Sequence, residues 1–308
     1  MPTKNQTFRR TVFEARFTTE RRHCRNQQYL SRERMMSVLD PDSFRDFEHA
    51  GWESIPASYH EAFGALTRQA IDALLDAAGV KRRITFLDIA SGPGYVAAAA
   101  AKRGATVLGI DFSPAMVAQA RQLHGEIEFR EGDAEQLPLG SGLFDAAAMN
   151  FGILHLGQPE KALLEAHRVL RSGARFALSV WAPPQETIGF GIVLRAVELH
   201  GEPRVVLPEG PPFFRYSDPE ECTRGLIVAG FESPAVTRVR QIWRLPAGDG
   251  LFNAMRDSTV RTAGLLRAQK PTVLNKIRDA MRAEVANYTK RGVVELPMPA
   301  LIASGIKA

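Results

Sequence analysis

The chain has 308 residues, 45% of them hydrophobic, a formal net charge of +5 and two cysteines. That length and apolar content can bury a full core in one large domain or two small ones, and two cysteines outside any CxxC or Cys/His cluster, Cys24 and Cys222, suggest neither a disulfide framework nor a zinc site. The longest apolar run, Tyr95 to Ala101, falls far below the roughly 18 residues of a membrane span, and no charged-then-apolar signal opens the chain, so a cytoplasmic protein with no membrane span is expected.

Charge is spread unevenly. Residues 1–45 hold ten Lys or Arg against five acids, which accounts for the whole net charge and leaves the body from Asp46 onward neutral. Little hydrophobic periodicity precedes Met35, so residues 1–42 are expected to be a basic extension, mobile or loosely docked. The run that begins at Met36 reads more like the start of an enzyme than MPTKNQTFRR does. The arm lacks the repeated aromatic or helical pattern of a nucleic-acid reader, and no nucleic-acid partner is expected.

Residues 43–308 are expected to form a single domain. From Ser43 to Val80 the pattern is helical, with Tyr59, Phe63, Leu66, Ala70, Leu74 and Leu75 at helical spacing and Gly79 closing the last helix. Trp52 and Tyr59 could reach a ligand's mouth or simply pack. Strands are expected at Ile84–Ala90, Ala105–Ile110 and Glu126–Arg130, then at LFDAAAMN, which ends on Asn150. Ser113 caps the second helix, with Pro114 in its first position. A helix over Glu160–Leu170 turns through Ser172 and Gly173 into the fifth strand, ARFALSVWA. Strands alternating with helices give a parallel sheet covered on both faces, with its ligand at the carboxyl ends of the strands.

Beyond Trp181 the composition changes. A helical run from Ile188 to His200 and a Pro- and aromatic-rich loop read as a lid over about 183–218. Pro219–Ala229 is expected as a helix returning the chain to the sheet. Further amphipathic helices near Gly250–Leu266 and Pro271–Arg291 make a second lid segment over about 248–292, before a last strand from Val294 to Ser304.

The stretch ITFLDIASGPGYVAAAAAKRG, from Ile84 to Gly104, organises this plan. Its glycines fall where a strand reverses into a helix, and a side chain at Gly92 or Gly94 is expected to hold a ligand off the backbone amides. The next strand ends on Asp111, about twenty residues later, the usual distance for a carboxylate that grips ribose hydroxyls. Gly92, Gly94 and Ala97 also spell a dinucleotide pattern. Asp88, at the start of the turn, would repel a pyrophosphate and attract the cationic end of S-adenosylmethionine, which favours the methyl donor as cofactor.

Four segments in order, LDIASGPGY, VLGIDFSPAMV, EGDAEQLPL and FDAAAMNFGILHL, resemble the class I S-adenosylmethionine-dependent methyltransferases, most of all the small-molecule branch with the ubiquinone and menaquinone C-methyltransferases. The likeness is strong over about residues 50–182, and VELPMPALIASGIKA looks like the family's last strand. It implies an α/β, Rossmann-like sheet of seven strands, mostly parallel with the last antiparallel, helices on both faces and helical lid insertions. Two departures stand out. The family's first glycine is Ala90 here, a small residue that keeps close packing, and its Pro-Gly-Gly turn is Ser172, Gly173 and Ala174.

Carried over by position, the resemblance places the Gly92 and Gly94 backbone against the methionine moiety, with Asp88 at its amino end and Asp111 on both ribose hydroxyls. Phe112 and Met116 would flank the adenine, while Asp133 and the Ala134 amide would read its edge; a carboxylate capping its own loop is the plainer reading of Asp133. Asn150 and Phe151 would border the reacting methyl.

His155, just beyond the fourth strand, is the best candidate for a general base if the acceptor arrives protonated, ahead of His200 and His167. Trp181, Phe190, Phe213, Phe214 and Tyr216 would bind a small hydrophobic or aromatic acceptor, or form the lid's own core. Methyl transfer to such an acceptor is the leading expectation. A NAD-type oxidoreductase, a non-catalytic S-adenosylmethionine-binding protein and a homodimer stay open.

Overall fold

A computed structural model describes residues 40–308. The basic arm up to residue 39, Cys24 and the expected start at Met36 lie outside the described residues. Pro41–Ala308 forms one unit.

Four short helices come first: α1 Pro41–Ser54, α2 Pro56–Ala62, α3 Gly64–Thr67 and α4 Ile71–Ala77. On α1 the buried positions Phe44 and Glu48 stand one turn apart and Trp52 follows at the same spacing, so this helix turns one stripe inward and that stripe carries a carboxylate. The main sheet is then laid down strand by strand. β1 Thr85–Ile89, α5 Tyr95–Lys102, β2 Thr106–Asp111, α6 Pro114–Leu123, β3 Glu128–Glu131, β4 Phe144–Asn150, α7 Pro159–Val169 and β5 Leu170–Trp181 alternate along the chain. β1 and β4 are buried on both faces, as continuous apolar runs dictate. Ala146, Ala147 and Ala148 of β4 are fully buried, and their small side chains let the layers above and below approach closely.

The seven strands stand in the order β3-β2-β1-β4-β5-β10-β6, where β6 is Phe231–Val239 and β10 is Ala300–Lys307. β10 runs antiparallel to both its neighbours, while the other strand pairs are parallel. Successive strands run outward from β1 on one side and from β4 on the other, so the order reverses between β1 and β4. That switch point is where an open sheet leaves a crevice outside its carboxyl ends. A main core fills most of the molecule, and a smaller one of Ala97, Val117, Ala120, Ile127 and Phe129 lies at the β3 edge.

The remaining elements are α8 Ile188–His200, α9 Pro219–Val228, β7 Ile242–Pro246, α10 Gly250–Asp257, α11 Arg261–Arg267, α12 Pro271–Val285, β8 Thr289–Lys290 and β9 Val293–Pro297. Four sequence expectations are corrected here. The last strand, expected over Val294–Ser304, is two strands: β9 ends on Pro297 and Pro299 stands just before β10, β9 joins a separate sheet of order β7-β9-β8, and only β10 enters the main sheet. The helix expected over Gly250–Leu266 breaks at Ser258–Val260 into α10 and α11, and the one expected to reach Arg291 ends at Val285. Ser172 and Gly173 do not separate α7 from β5; the strand begins at Leu170, and Gly173, with φ +78°, sits where its register against β4 slips. No helix among the described residues is long and apolar enough to cross a membrane.

Candidate active site

The crevice opens at the end of β1. Within five residues the chain puts Ala90, Gly92 and Gly94 at φ +54°, +50° and +80°, a conformation that costs a residue with a side chain about 1–2 kcal/mol. The three do different things. A side chain at Gly92 would meet nothing within 4 Å, so its bareness keeps the cavity open. One at Gly94 would run into the Phe129 ring at 2.6 Å, and Gly94 caps α5; its lack of a side chain serves the packing beneath the turn, contrary to the sequence expectation that it clears a ligand. Ala90 takes the strained conformation despite its Cβ. Its methyl faces Gly152, where an added Cβ would lie 2.6 Å from it.

Two carboxylates face this turn from the ends of β1 and β2. Asp88 is fully buried. Its Oδ2 accepts from the Ala97 amide in the first turn of α5 at 2.9 Å, while its Oδ1 is buried with no partner. Burial, with the nearby charge of Asp111, pushes Asp88 up to about 8. Asp111 accepts from the Gly92 amide at 2.7 Å and from the Ser113 amide at 3.0 Å, and burial pushes it up to about 6. These amides fix its orientation and leave lone pairs for another donor. Both acids are held short of water in one crevice, a setting that favours a cation or hydroxyl donors.

Further along the same cavity stand Phe112, Met116, Asp133 and Ala134. Phe112 meets His49 edge-on at 5.2 Å, and Met116 is buried. Asp133 takes the Glu135 amide on Oδ1 at 2.8 Å and the Arg45 guanidinium on Oδ2 at 2.6 Å, so it does cap its own loop while still lining the cavity. Glu53 of α1 reaches across to the N-terminus of α6, accepting from Ser113 Oγ at 2.5 Å and the Ala115 amide at 3.0 Å.

At the other end the walls are aromatic. Asn150 is clamped, its Oδ1 accepting from Ser179 Oγ at 2.6 Å and its Nδ2 donating to the Thr67 carbonyl at 3.3 Å. Phe151, at φ +59°, stacks on Trp181 with ring centroids 4.0 Å apart. Trp181, Phe190, Phe213, Tyr59 and Trp52 line the space between. His155 lines it too, its Nδ1 3.0 Å from Oε2 of the fully buried Glu48. Arg261, at the start of α11, donates to the Pro211 carbonyl at 3.0 Å and lies over the Phe44 and Phe213 rings; desolvation lowers its pKa, with Glu48 pulling the other way.

The structure therefore brings Asp88, Ala90, Gly92, Asp111, Phe112, Met116, Asp133, Ala134, Asn150, His155, Trp181, Phe190 and Phe213 onto one cavity. It does not bring the rest. Phe214 packs behind Phe190 and Phe213. Tyr216 is buried against α9, where its carbonyl accepts from the Cys222 thiol. His200 is exposed at the end of α8, and His167 packs edge-on against Phe231 at 5.0 Å on the far side of the sheet's end. Sequence reasoning passed over Glu48, Thr67, Ser179 and Arg261. Only Glu48 left a signal, a carboxylate on the apolar stripe of an amphipathic helix.

Comparison with known proteins bears on this geometry. Residues 87–178 match the family described as "Methyltransferase domain". An uncharacterized protein of Mycobacterium tuberculosis is 31% identical over 206 residues, covering 62% of this chain and 70% of that protein. Residues 87–178 therefore carry a methyltransferase domain by this likeness. A demethylmenaquinone methyltransferase of Beutenbergia cavernae is 37% identical over 123 residues, 38% of this chain, so the chain spans about half (51%) of that relative's length. A Thermotoga maritima structure titled a SAM-dependent methyltransferase, possible histamine N-methyltransferase, shares the fold, with a TM-score of 0.51 at 20% identity over 85% of this chain and 100% of its own.

The cofactor of the methyltransferases it resembles, S-adenosylmethionine, fits what this chain provides. The unpartnered Oδ1 of Asp88 is a buried acceptor waiting for a donor, and the backbone at Gly92 is open to a ligand. The NAD reading of the same turn would set a pyrophosphate beside the buried Asp88, whose free oxygen, once ionised, repels it.

Proposed function

We propose that this protein moves the S-methyl group of S-adenosylmethionine to a small hydrophobic acceptor, and that the cavity at the β1/β4 switch point is where it does so. The observation that carries the reading is the buried, half-satisfied carboxylate of Asp88 facing an open glycine backbone beside Asp111. In this reading Asp88 holds the ammonium end of the cofactor and Asp111 accepts from the ribose hydroxyls. Phe112 and Met116 flank the adenine, and Asp133 with the Ala134 amide takes its edge. Asn150 and Phe151 border the methyl.

When bound, S-adenosylmethionine supplies an electrophilic methyl on a positively charged sulfur. The chain's own part is alignment and exclusion of water. Trp181, Phe190 and Phe213 offer an apolar wall that would seat an acceptor in line with the methyl, and positioning of this kind supplies much of the rate in such displacements. In this reading His155 takes a proton from the acceptor. The quinone substrate named for the Beutenbergia cavernae relative supports a flat, apolar acceptor, as does the aromatic lining.

The test is a mass-spectrometric assay of the purified protein with S-adenosylmethionine and a panel of small quinols, phenols and aliphatic acids. The expected result is one added methyl per molecule of S-adenosylhomocysteine formed, strongest on flat apolar acceptors. Binding of S-adenosylhomocysteine without turnover on any acceptor would favour a non-catalytic binding protein, and no binding at all would overturn the proposal.

A further inference from the structure

At the acceptor end one buried charge has no place in the cofactor scheme. Glu48 is fully buried on the inner face of α1. Oε2 accepts from Trp52 Nε1 at 3.1 Å and lies 3.0 Å from His155 Nδ1, while Oε1 is buried without a partner. Among the described residues no Lys or Arg comes within ion-pair distance of it. A carboxylate taken out of water costs several kcal/mol unless it is paired and hydrogen-bonded, and an apolar residue would pack this stripe of α1 without that cost.

The imidazole opposite is fixed on several sides. Trp52 meets the His155 ring edge-on at 4.8 Å and Phe213 meets it at 6.0 Å. With Nδ1 turned to Glu48, Nε2 is the ring nitrogen left for the cavity that His155 lines. Two other charges act on the ring. Asp111 of β2 interacts with it through space, and Arg261 of α11 lies close enough to feel Glu48.

We propose that Glu48 is a positioning residue that holds His155 as the Nδ1–H tautomer with a basic Nε2 toward the acceptor, so that the acceptor is one bearing a weakly acidic O–H, a phenol or enol. This rests on the methyl-transfer reading above. In the step, the acceptor O–H proton passes to Nε2 of His155. The oxygen's electron pair would form the new bond to the methyl carbon, and the carbon–sulfur pair would stay on sulfur, leaving it neutral; were the neighbouring ring carbon to bond instead, its own C–H proton would leave and one would return to the oxygen. The imidazolium then loses its proton to solvent, and Glu48 offsets its charge meanwhile, as a carboxylate beside an imidazole does in hydrolytic triads.

Nitrogen-15 NMR of the histidine rings in the full chain, assigned with His155→Gln, tests this without knowing the acceptor. Neutral His155 is expected as the Nδ1–H tautomer. Glu48→Leu, which removes the acceptor facing Nδ1, should lower the ratio of Nδ1–H to Nε2–H tautomer by about tenfold or more. An Nε2–H tautomer in the wild type, read without any variant, would overturn the proposal, as would an unmoved tautomer ratio in Glu48→Leu. Methylation of phenols should fall about tenfold or more in Glu48→Leu while S-adenosylhomocysteine still binds; turnover confined to acceptors lacking an acidic O–H would also overturn it. Calorimetry with S-adenosylhomocysteine keeps the two readings apart: lost binding would remove the methyl-transfer scheme, while the tautomer still decides the Glu48–His155 pair.

Discussion

The two ends of the cavity are built by different means. The proposed cofactor end is made by consecutive pieces of chain, the turn after β1 and the last residue of β2, and its contacts run through main-chain amides: Gly92 and Ser113 to Asp111, Ala97 to Asp88. The acceptor end is assembled from side chains on α1, β5, the Phe213 loop and α11, more than two hundred residues apart in sequence between Glu48 and Arg261. Backbone geometry at the first end is set by strand pairing and tolerates little change. Side chains at the second can vary with the acceptor while the sheet stays the same, which is how one fold serves many substrates.

The largest expected effect lies at the backbone end. Gly92→Val should put a branched side chain at φ +50° into open cavity, straining the turn and blocking the cradle, and should weaken S-adenosylhomocysteine binding by more than about a hundredfold, or about 3 kcal/mol. Calorimetry reads this directly, and near-normal affinity would show that the ligand does not lie against the turn.

The buried acids make the same end sensitive to pH. Asp88 and Asp111 are raised to about 8 and about 6, so between about pH 4 and pH 8 the folded ligand-free protein holds protons that the unfolded chain has released. Their contribution to stability is greatest below the unfolded carboxyl pKa and is lost as pH rises through the folded values. The melting temperature of the ligand-free protein should therefore fall from pH 5 to pH 9, and Asp88→Asn should flatten that fall. An unchanged slope in Asp88→Asn would place the titrating group elsewhere.

A smaller effect tests the strained turn. Gly152→Ala would bring its Cβ to 2.6 Å from that of Ala90 and 2.9 Å from Met149 Cγ, and should cost about 1–3 kcal/mol. Ala90→Gly should restore part of that in the double variant, because it removes the clashing methyl. Denaturant unfolding of the three variants measures the coupling, and strictly additive losses would separate the two sites. Smallest of all, Arg45→Ala removes a half-exposed ion pair to Asp133 and should change stability by less than about 1 kcal/mol. A large loss of cofactor affinity in that variant would mean that Arg45 itself contacts the ligand.

The same contrast decides what was legible in the sequence. The sheet up to β5 announces itself because buried parallel strands are continuous apolar runs, and LFDAAAMN or ITFLDIA can hardly be read otherwise. Asp88, Gly92 and Asp111 were readable because their spacing is imposed by a strand, a turn and a strand. Pairing across long separations was not. β7 pairs with β9 more than forty residues further along the chain, β8 is a two-residue strand just ahead of β9, and the split of the last strand falls at prolines that look like any other loop prolines. Glu48, Ser179 and Arg261 gain their meaning only from what they touch, while Phe214 and Tyr216 were named for an aromatic density that folding divides between wall and core. Ala90 looked like a conservative replacement for glycine, yet it carries a left-handed φ that composition cannot reveal.

The most direct measurement is a calorimetric titration of S-adenosylhomocysteine into the wild-type protein and into Asp111→Ala. Saturable one-site binding in the wild type, weakened by about a hundredfold or more in the variant, is expected from a carboxylate that two backbone amides aim into the cavity. Equal affinity in the two proteins, or no binding to either, would contradict a cofactor held between the ends of β1 and β2.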